Sequence, residues 1–260
     1  MTYEELPPSP DFAQFIERYW AFEIEASDPP VIEHVIVPDG TISLTFAEGV
    51  GPDPILVIIG PFSIARKMPV FRGARFRGVR FRAGAASAFL GVNTAQLVDQ
   101  RRPLADLDAD LARDIFQSGA GLATLAEFAA MFESITHHRL TAIRDEAVCA
   151  LAQALIDSDG STALSQIIDG FGLSPRHLRR RFIAQTGLTP KMFSRLRRVR
   201  RACVDLIYDA TGQVAAVSAD NGYADQPHFN REIKAVFDMS PHLVQAYLRM
   251  IRHTNLLERG

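Results

Sequence analysis

Apolar and polar positions along this chain follow two different periods. Up to about residue 84 they come in short runs bounded by Gly, Pro, Asn or Asp, as strands do. In HVIVPDGTISLTF (34–46) a Pro-Asp-Gly turn separates two β-branched or aromatic runs, which predicts a hairpin. PILVIIGPF (54–62) predicts a short buried strand. ARFRGVRFR (74–82) alternates arginine with aromatic or aliphatic residues, and its phase slips at Gly78, which predicts a bulge. Its arginines, with Arg72, read as charged protection of an edge strand, an anion pocket being the alternative. Ahead of these, DFAQFIERYWAF (11–22) has the spacing of a short helix leading into the first strand.

Beyond Gly84 the period becomes helical. AASAFLGV (85–92) is a helical turn, and Leu104, Leu107, Leu111 and Ile115 recur at 3–4 spacing. Leu122, Leu125, Phe128, Phe132 and Ile135 do the same, and both stripes suit helices covering a sheet better than a dimer seam. From about residue 141 only helices are expected, over 141–157, 162–170, 175–186, 190–209, 214–221, 226–237 and 241–251. The fold class is therefore α+β. Residues 1–140 form a mixed β-rich domain with covering helices; residues 141–260 form an all-α domain.

Composition adds little until charge is divided along the chain. A hydrophobic fraction of 47% with 22% charged residues is ordinary for a globular protein. Two cysteines far apart, Cys149 and Cys203, make a disulfide framework or zinc knuckle an unattractive reading and suit a reducing cytoplasm. The opening MTYEELPPSPDF is acidic and proline-broken, unlike a leader, and the apolar run at Ile55 is too short for a membrane span. The net charge of −2 conceals a segment from Gly170 to Val204 with ten Lys/Arg and no acid. Such a patch is the electrostatic footprint of a nucleic-acid contact, although a solvated face has it too.

That basic segment holds the first of two related stretches, LSPRHLRRRFIAQTGLTP from Leu173 and ADQPHFNREIKAVFDMSP from Ala224. In the first, Ser174 is placed to cap a helix and Pro175 fills its first position, where a missing N–H is harmless. Leu178 and Phe182 share one face, with Arg176, Arg179 and Arg180 opposite. In the second, Asp225 caps, Phe229 and Ile233 are the buried pair, and Gln226, Pro227, His228, Asn230 and Arg231 face outward. Each follows a short helix and a glycine turn, the helix-turn-helix arrangement, over about 162–187 and 213–238. Between them runs PKMFSRLRRVRRACVDLIYD, whose arginines look mostly free to meet phosphates. Phosphate contacts are accordingly expected from Arg181, Lys191, Arg197, Arg198 and Arg201, and base contacts from the outward residues of the two helices.

GLSPRHLRRRF…TGLTP followed by GYADQPHFNREIKAVFDMSPHLVQAYLR resembles the double helix-turn-helix of AraC/XylS-type transcriptional regulators, over about 141–252. RYW (18–20), VPDG (37–40), IIGPF (58–62) and VRFRAGAASAFLGV (79–92) are similar to an N-terminal domain found with that module. The resemblance implies a bacterial cytoplasmic regulator that binds double-stranded DNA, needs no cofactor and is not an enzyme, with residues 1–140 as its sensing or dimerisation domain. A small-molecule effector, RNA polymerase and a second copy of the chain are the further partners it admits, with no effector-binding residue assigned. Carried over position by position, base contacts fall on Arg176, Arg179, Arg180, Gln226, Pro227, His228, Asn230 and Arg231. Ile233 stands where the family has phenylalanine and Asp238 where it has glycine, so looser packing is expected in the second unit. The alternative is an enzyme or structural protein tethered to nucleic acid by its helical half. Against the enzyme, the chain has no nucleophile elbow, phosphate loop or HExxH, and its histidines lack the spacing of metal ligands.

Overall fold

The computed structural model describes residues 1–208 and 214–250. Its strands are β1 (Thr2–Leu6), β2 (Ile16–Glu23), β3 (Val31–Ile36), β4 (Ile42–Glu48), β5 (Ile55–Ile59), β6 (Arg66–Phe71), β7 (Arg75–Phe81) and β8 (Arg101–Pro103). Six make one antiparallel sheet in the order β1-β2-β7-β4-β5-β8, while β3 and β6 pair as a separate ribbon.

Alternation assigns the two faces of the large sheet. Tyr19, Leu44, Phe46, Ile58, Val79 and Phe81 point to one side, where they bury against α1 (Ala86–Leu90), α2 (Ala109–Gly119) and α3 (Leu125–Thr136). Trp20, Phe22, Thr45, Val57 and Phe76 point to the other, where the ribbon lies across them and leaves a cavity. The apolar stripes of residues 104–135 thus cover the sheet.

Four sequence expectations change here. The Pro-Asp-Gly turn does not close a hairpin: β3 pairs with β6, and β4 with β5 and β7, so the turn carries the chain from ribbon to sheet. Gly78 is not a bulge; β2 and β7 keep register there, and the Trp20 ring lies so close that a Cβ would sit 2.4 Å from it. The apparent slip arises because Arg77 takes a core-side position, its charge matched by Glu48 at 3.0 Å. Nor do the arginines protect an edge, since β7 lies between β2 and β4. Finally, residues 10–15 form turns rather than a helix, and β1 precedes them on β2.

The helices of the second half are α4 (Glu146–Asp157), α5 (Leu164–Asp169), α6 (Pro175–Thr186), α7 (Pro190–Tyr208), α8 (Val214–Asp220), α9 (Gln226–Phe237) and α10 (Pro241–Met250). The parts of the expected elements at residues 209, 213 and 251–252 lie outside the described residues. α7 serves two cores. Phe193 and Leu196 join α4, α5 and α6; Val199, Cys203, Leu206 and Ile207 join α8, α9 and α10. Among the described residues no helix is long and apolar enough to cross a membrane.

Candidate nucleic-acid interface

Helices α6 and α9 are started by the same local chemistry. Ser174 Oγ accepts from the His177 backbone N–H at 3.3 Å, and Asp225 Oδ1 accepts from that of His228 at 2.6 Å. Each helix has proline in its first turn and follows a left-handed glycine, Gly172 (φ 62°) or Gly222 (φ 69°), which turns the chain without a Cβ clash. Each ends left-handed as well, at Gly187 (φ 79°) and Asp238 (φ 54°). Asp tolerates that conformation better than most residues, so the second helix stops where the first does.

Behind these ends lie closed cores. Leu178 and Phe182 are fully buried, with the Phe182 ring edge-on to Phe193 at 5.6 Å. Phe229 and Ile233 are equally buried, so Ile233 leaves no loosened site. Val35, Val37 and Ala65 from the N-terminal half pack into this second core. Arg176, Arg179 and Arg180 are exposed on α6, as are Gln226, Pro227, Asn230 and Arg231 on α9. His228 is half-buried, its ring edge-on to Tyr223 at 5.4 Å.

The arginines expected to be free for phosphates are mostly engaged within the chain. Lys191 is exposed. Arg181 grips Asp145, the cap of α4, with Nε at 2.7 Å and a terminal nitrogen at 2.6 Å. Burial opposes ionisation of Asp145, but this fork and backbone donors hold its carboxyl below the usual range. Arg198 donates to Gly160 O and lies over the Tyr223 ring, and Arg201 meets Asp205 and Asp159. Arg197 is the clear correction, because only 8% of it is exposed. A helical wheel shows which residues share a face, not which face a second domain covers.

Both units also dock on the N-terminal half. The far end of α6 is held by Ser87 on Gln185 and by Thr94 Oγ1 donating to Ala184 O at 3.0 Å. The second unit is tied to the ribbon: Ala65 N–H donates to Val236 O at 2.8 Å, and Val35 N–H to the Tyr247 hydroxyl at 2.6 Å. These contacts leave the leading turns of α6 and α9 open. Asp145, Arg200 and the ribbon residues were missed from sequence. A capping Asp ahead of an apolar helix was the one readable signal, for Asp145.

A helix-turn-helix domain family model matches residues 167–247. Residues 167–247 are a helix-turn-helix domain of the AraC kind, and the chain is a DNA-binding transcription regulator. A second family model, a domain of unknown function (DUF6597), matches residues 4–103. No curated protein sequence matches the chain. Among solved structures, ToxT from Vibrio cholerae is 9% identical over the whole of both chains, with a TM-score of 0.43. ToxT in an unsaturated fatty acid-bound form is 11% identical over 94% of this chain and 93% of that one, at 0.38. The xylose-binding transcription activator XylR is 17% identical over 47% of this chain, at 0.36, and the match spans only 39% of XylR. In this regulator the matched helix-turn-helix segment includes α6, α9 and the whole of α7.

Proposed function

We propose that the chain is a ligand-responsive transcription regulator reading one asymmetric DNA site, with α6 and α9 in two successive major grooves. The observation that carries this reading is the repeated scaffold: the same glycine turn, capped start and buried pair, each presenting an exposed polar leading face. Arg176, Arg179 and Arg180 offer guanidinium forks suited to guanine N7 and O6. Gln226, His228, Asn230 and Arg231 offer a more varied set of donors and acceptors, with Pro227 against the groove wall. At 19 residues, α7 is about 30 Å long, near the roughly 34 Å between successive major grooves on one DNA face. Lys191 is the freest phosphate ligand, with Arg181, Arg198 and Arg201 contributing where they can share their present partners. Selection from a random DNA pool tests this reading. Enriched sites should carry two motifs about ten base pairs apart and bind less tightly as salt rises. A single short motif, or enrichment without sequence preference, contradicts it.

The effector site we assign to the cavity of about 260 Å³ between the ribbon and the large sheet. Trp20, Phe22 and Phe76 give it aromatic walls. Trp20 Nε1, His34 Nδ1 and Thr45 Oγ1 are buried there without a hydrogen-bond partner. Orphaned polar groups of this kind suit a small, largely apolar ligand carrying one or two hydrogen-bonding groups. His34 faces the cavity while its neighbour Val35 packs into the second helix-turn-helix core. A ligand that moves the ribbon therefore moves α9. A thermal-shift screen of the full chain should find a stabilising compound whose effect Thr45→Val weakens; a hit indifferent to Thr45→Val and His34→Phe would place the site elsewhere.

A further inference from the structure

A second cavity, of about 770 Å³, lies on the seam where α7 and α4 face the start of β2 and the end of β7. Arg197, Arg200, Arg201 and Val204 line it from α7 at helical spacing, so one stripe of the linker helix faces the seam. Most charges around it are matched. Arg82 donates to Ala13 O, Arg144 to Gln14 O and Glu146, and Arg201 to Asp205 and Asp159.

Arg197 is buried and unmatched. It is 8% exposed, its Nε is buried without a partner, and among the described residues no hydrogen bond or ion pair reaches its guanidinium. Glu17, Asp39 and Asp159 attract it only from beyond ion-pair distance, and Arg200, on the same stripe, repels it. Burial first, and Arg200 next, hold Arg197 below the usual arginine range. A buried charge without a counter-charge is costly, and a planar guanidinium fork fits a carboxylate or phosphate in two parallel hydrogen bonds.

We infer that this seam is a binding site for an anionic small molecule, its phosphate or carboxylate held by Arg197 with Arg200 beside it. The volume suits a metabolite rather than a lone ion. Glu146, Asp157 and Asp159 around the same cavity would accept from hydroxyl or amino groups on the rest of the ligand. A DNA phosphate is not the occupant, since a duplex cannot enter the cleft to reach so buried a side chain. The site adjoins the ribbon cavity through Arg200, which lines both, but Arg197 lines the seam alone, so its test is independent of the ribbon cavity's assignment.

Calorimetry and thermal melting of the DNA-free full chain in low-anion buffer provide the test, with inorganic phosphate in one arm and malonate in the other. At least one anion should bind saturably and raise the melting temperature, and the arm that responds identifies the oxyanion. Arg197→Met should weaken that binding roughly tenfold or more by removing charge-assisted bonds. Without anion, this variant should melt no lower than the parent, because an uncompensated charge has gone. Arg197→Lys, which keeps the charge but loses the fork, should bind more weakly than the parent. Arg113→Met, on the exposed side of α2, should bind as the parent does. The inference is overturned if neither anion binds saturably, or if Arg197→Met binds as tightly as the parent. It is equally overturned if Arg197→Met melts well below the parent or fails to fold, because Arg197 is then compensated from within the chain.

Discussion

In the first helix-turn-helix unit, α6 is clamped by Arg181 on Asp145 and by two side-chain hydrogen bonds near α1. In the second, the core around α9 is completed by Val35, Val37 and Ala65, and its backbone bonds to the ribbon's end. The two backbones are near copies, yet one is braced by α4 and the segment around α1 while the other leans on the element that roofs a cavity. Duplicating a scaffold therefore does not duplicate its coupling. On this account the first unit is the steadier reader and the second is the one a ligand can move.

The largest effect comes from emptying a core. Phe182 is fully buried against Phe193, so Phe182→Ala should cost about 3–5 kcal/mol. Phe229→Ala should match it if the second core is equally closed. Chemical denaturation of both variants measures this, and a much smaller loss for Phe229→Ala would restore the looser second unit that Ile233 and Asp238 suggested from sequence.

Next in size is a pH effect confined to the ribbon. Burial pushes His34 down to about 4, below its ordinary 6.5, so the folded ribbon holds a neutral imidazole. The unfolded chain binds that proton first as pH falls. Stability is therefore full above about 6.5 and declines towards pH 4, by about 3 kcal/mol in total. Urea unfolding of the parent across that window should show the decline, and His34→Gln should flatten it; equal slopes would remove the buried neutral histidine from the account.

These expectations draw unequally on sequence. Both α6 and α9 were legible to the residue, because Ser174, Pro175, Asp225 and Pro227 act within one turn of where they stand. The β pairing was not, since β3 finds its partner in β6 across the intervening β4 and β5. Alternation identified strands without saying which lay side by side, so VPDG passed for a hairpin turn and β7 for an edge. The burial of Arg197 was hidden for a related reason: which side of α7 the N-terminal half covers depends on contacts more than a hundred residues apart, such as Gly40 against Phe193.

The smallest effect concerns the left-handed helix stops. Asp238→Gly should stabilise the second unit by about 0.5–1 kcal/mol, because glycine takes φ 54° without a Cβ penalty. Gly187→Ala should destabilise the first by about 1–2 kcal/mol, its new Cβ lying 2.8 Å from Thr94 O at φ 79°. Thermal melting of the pair checks the opposite signs. A stabilising Gly187→Ala would mean that α6 does not dock beside Thr94.

The central claim is that α6 and α9 read different bases of one site. Base preference, measured position by position on a selected site for the parent, Arg180→Ala and Asn230→Ala, tests it most directly. Each variant should lose about 1–3 kcal/mol of discrimination at its own few positions, in blocks about one helical turn apart. Uniform weakening across all sequences, or loss at the same positions in both variants, would contradict it.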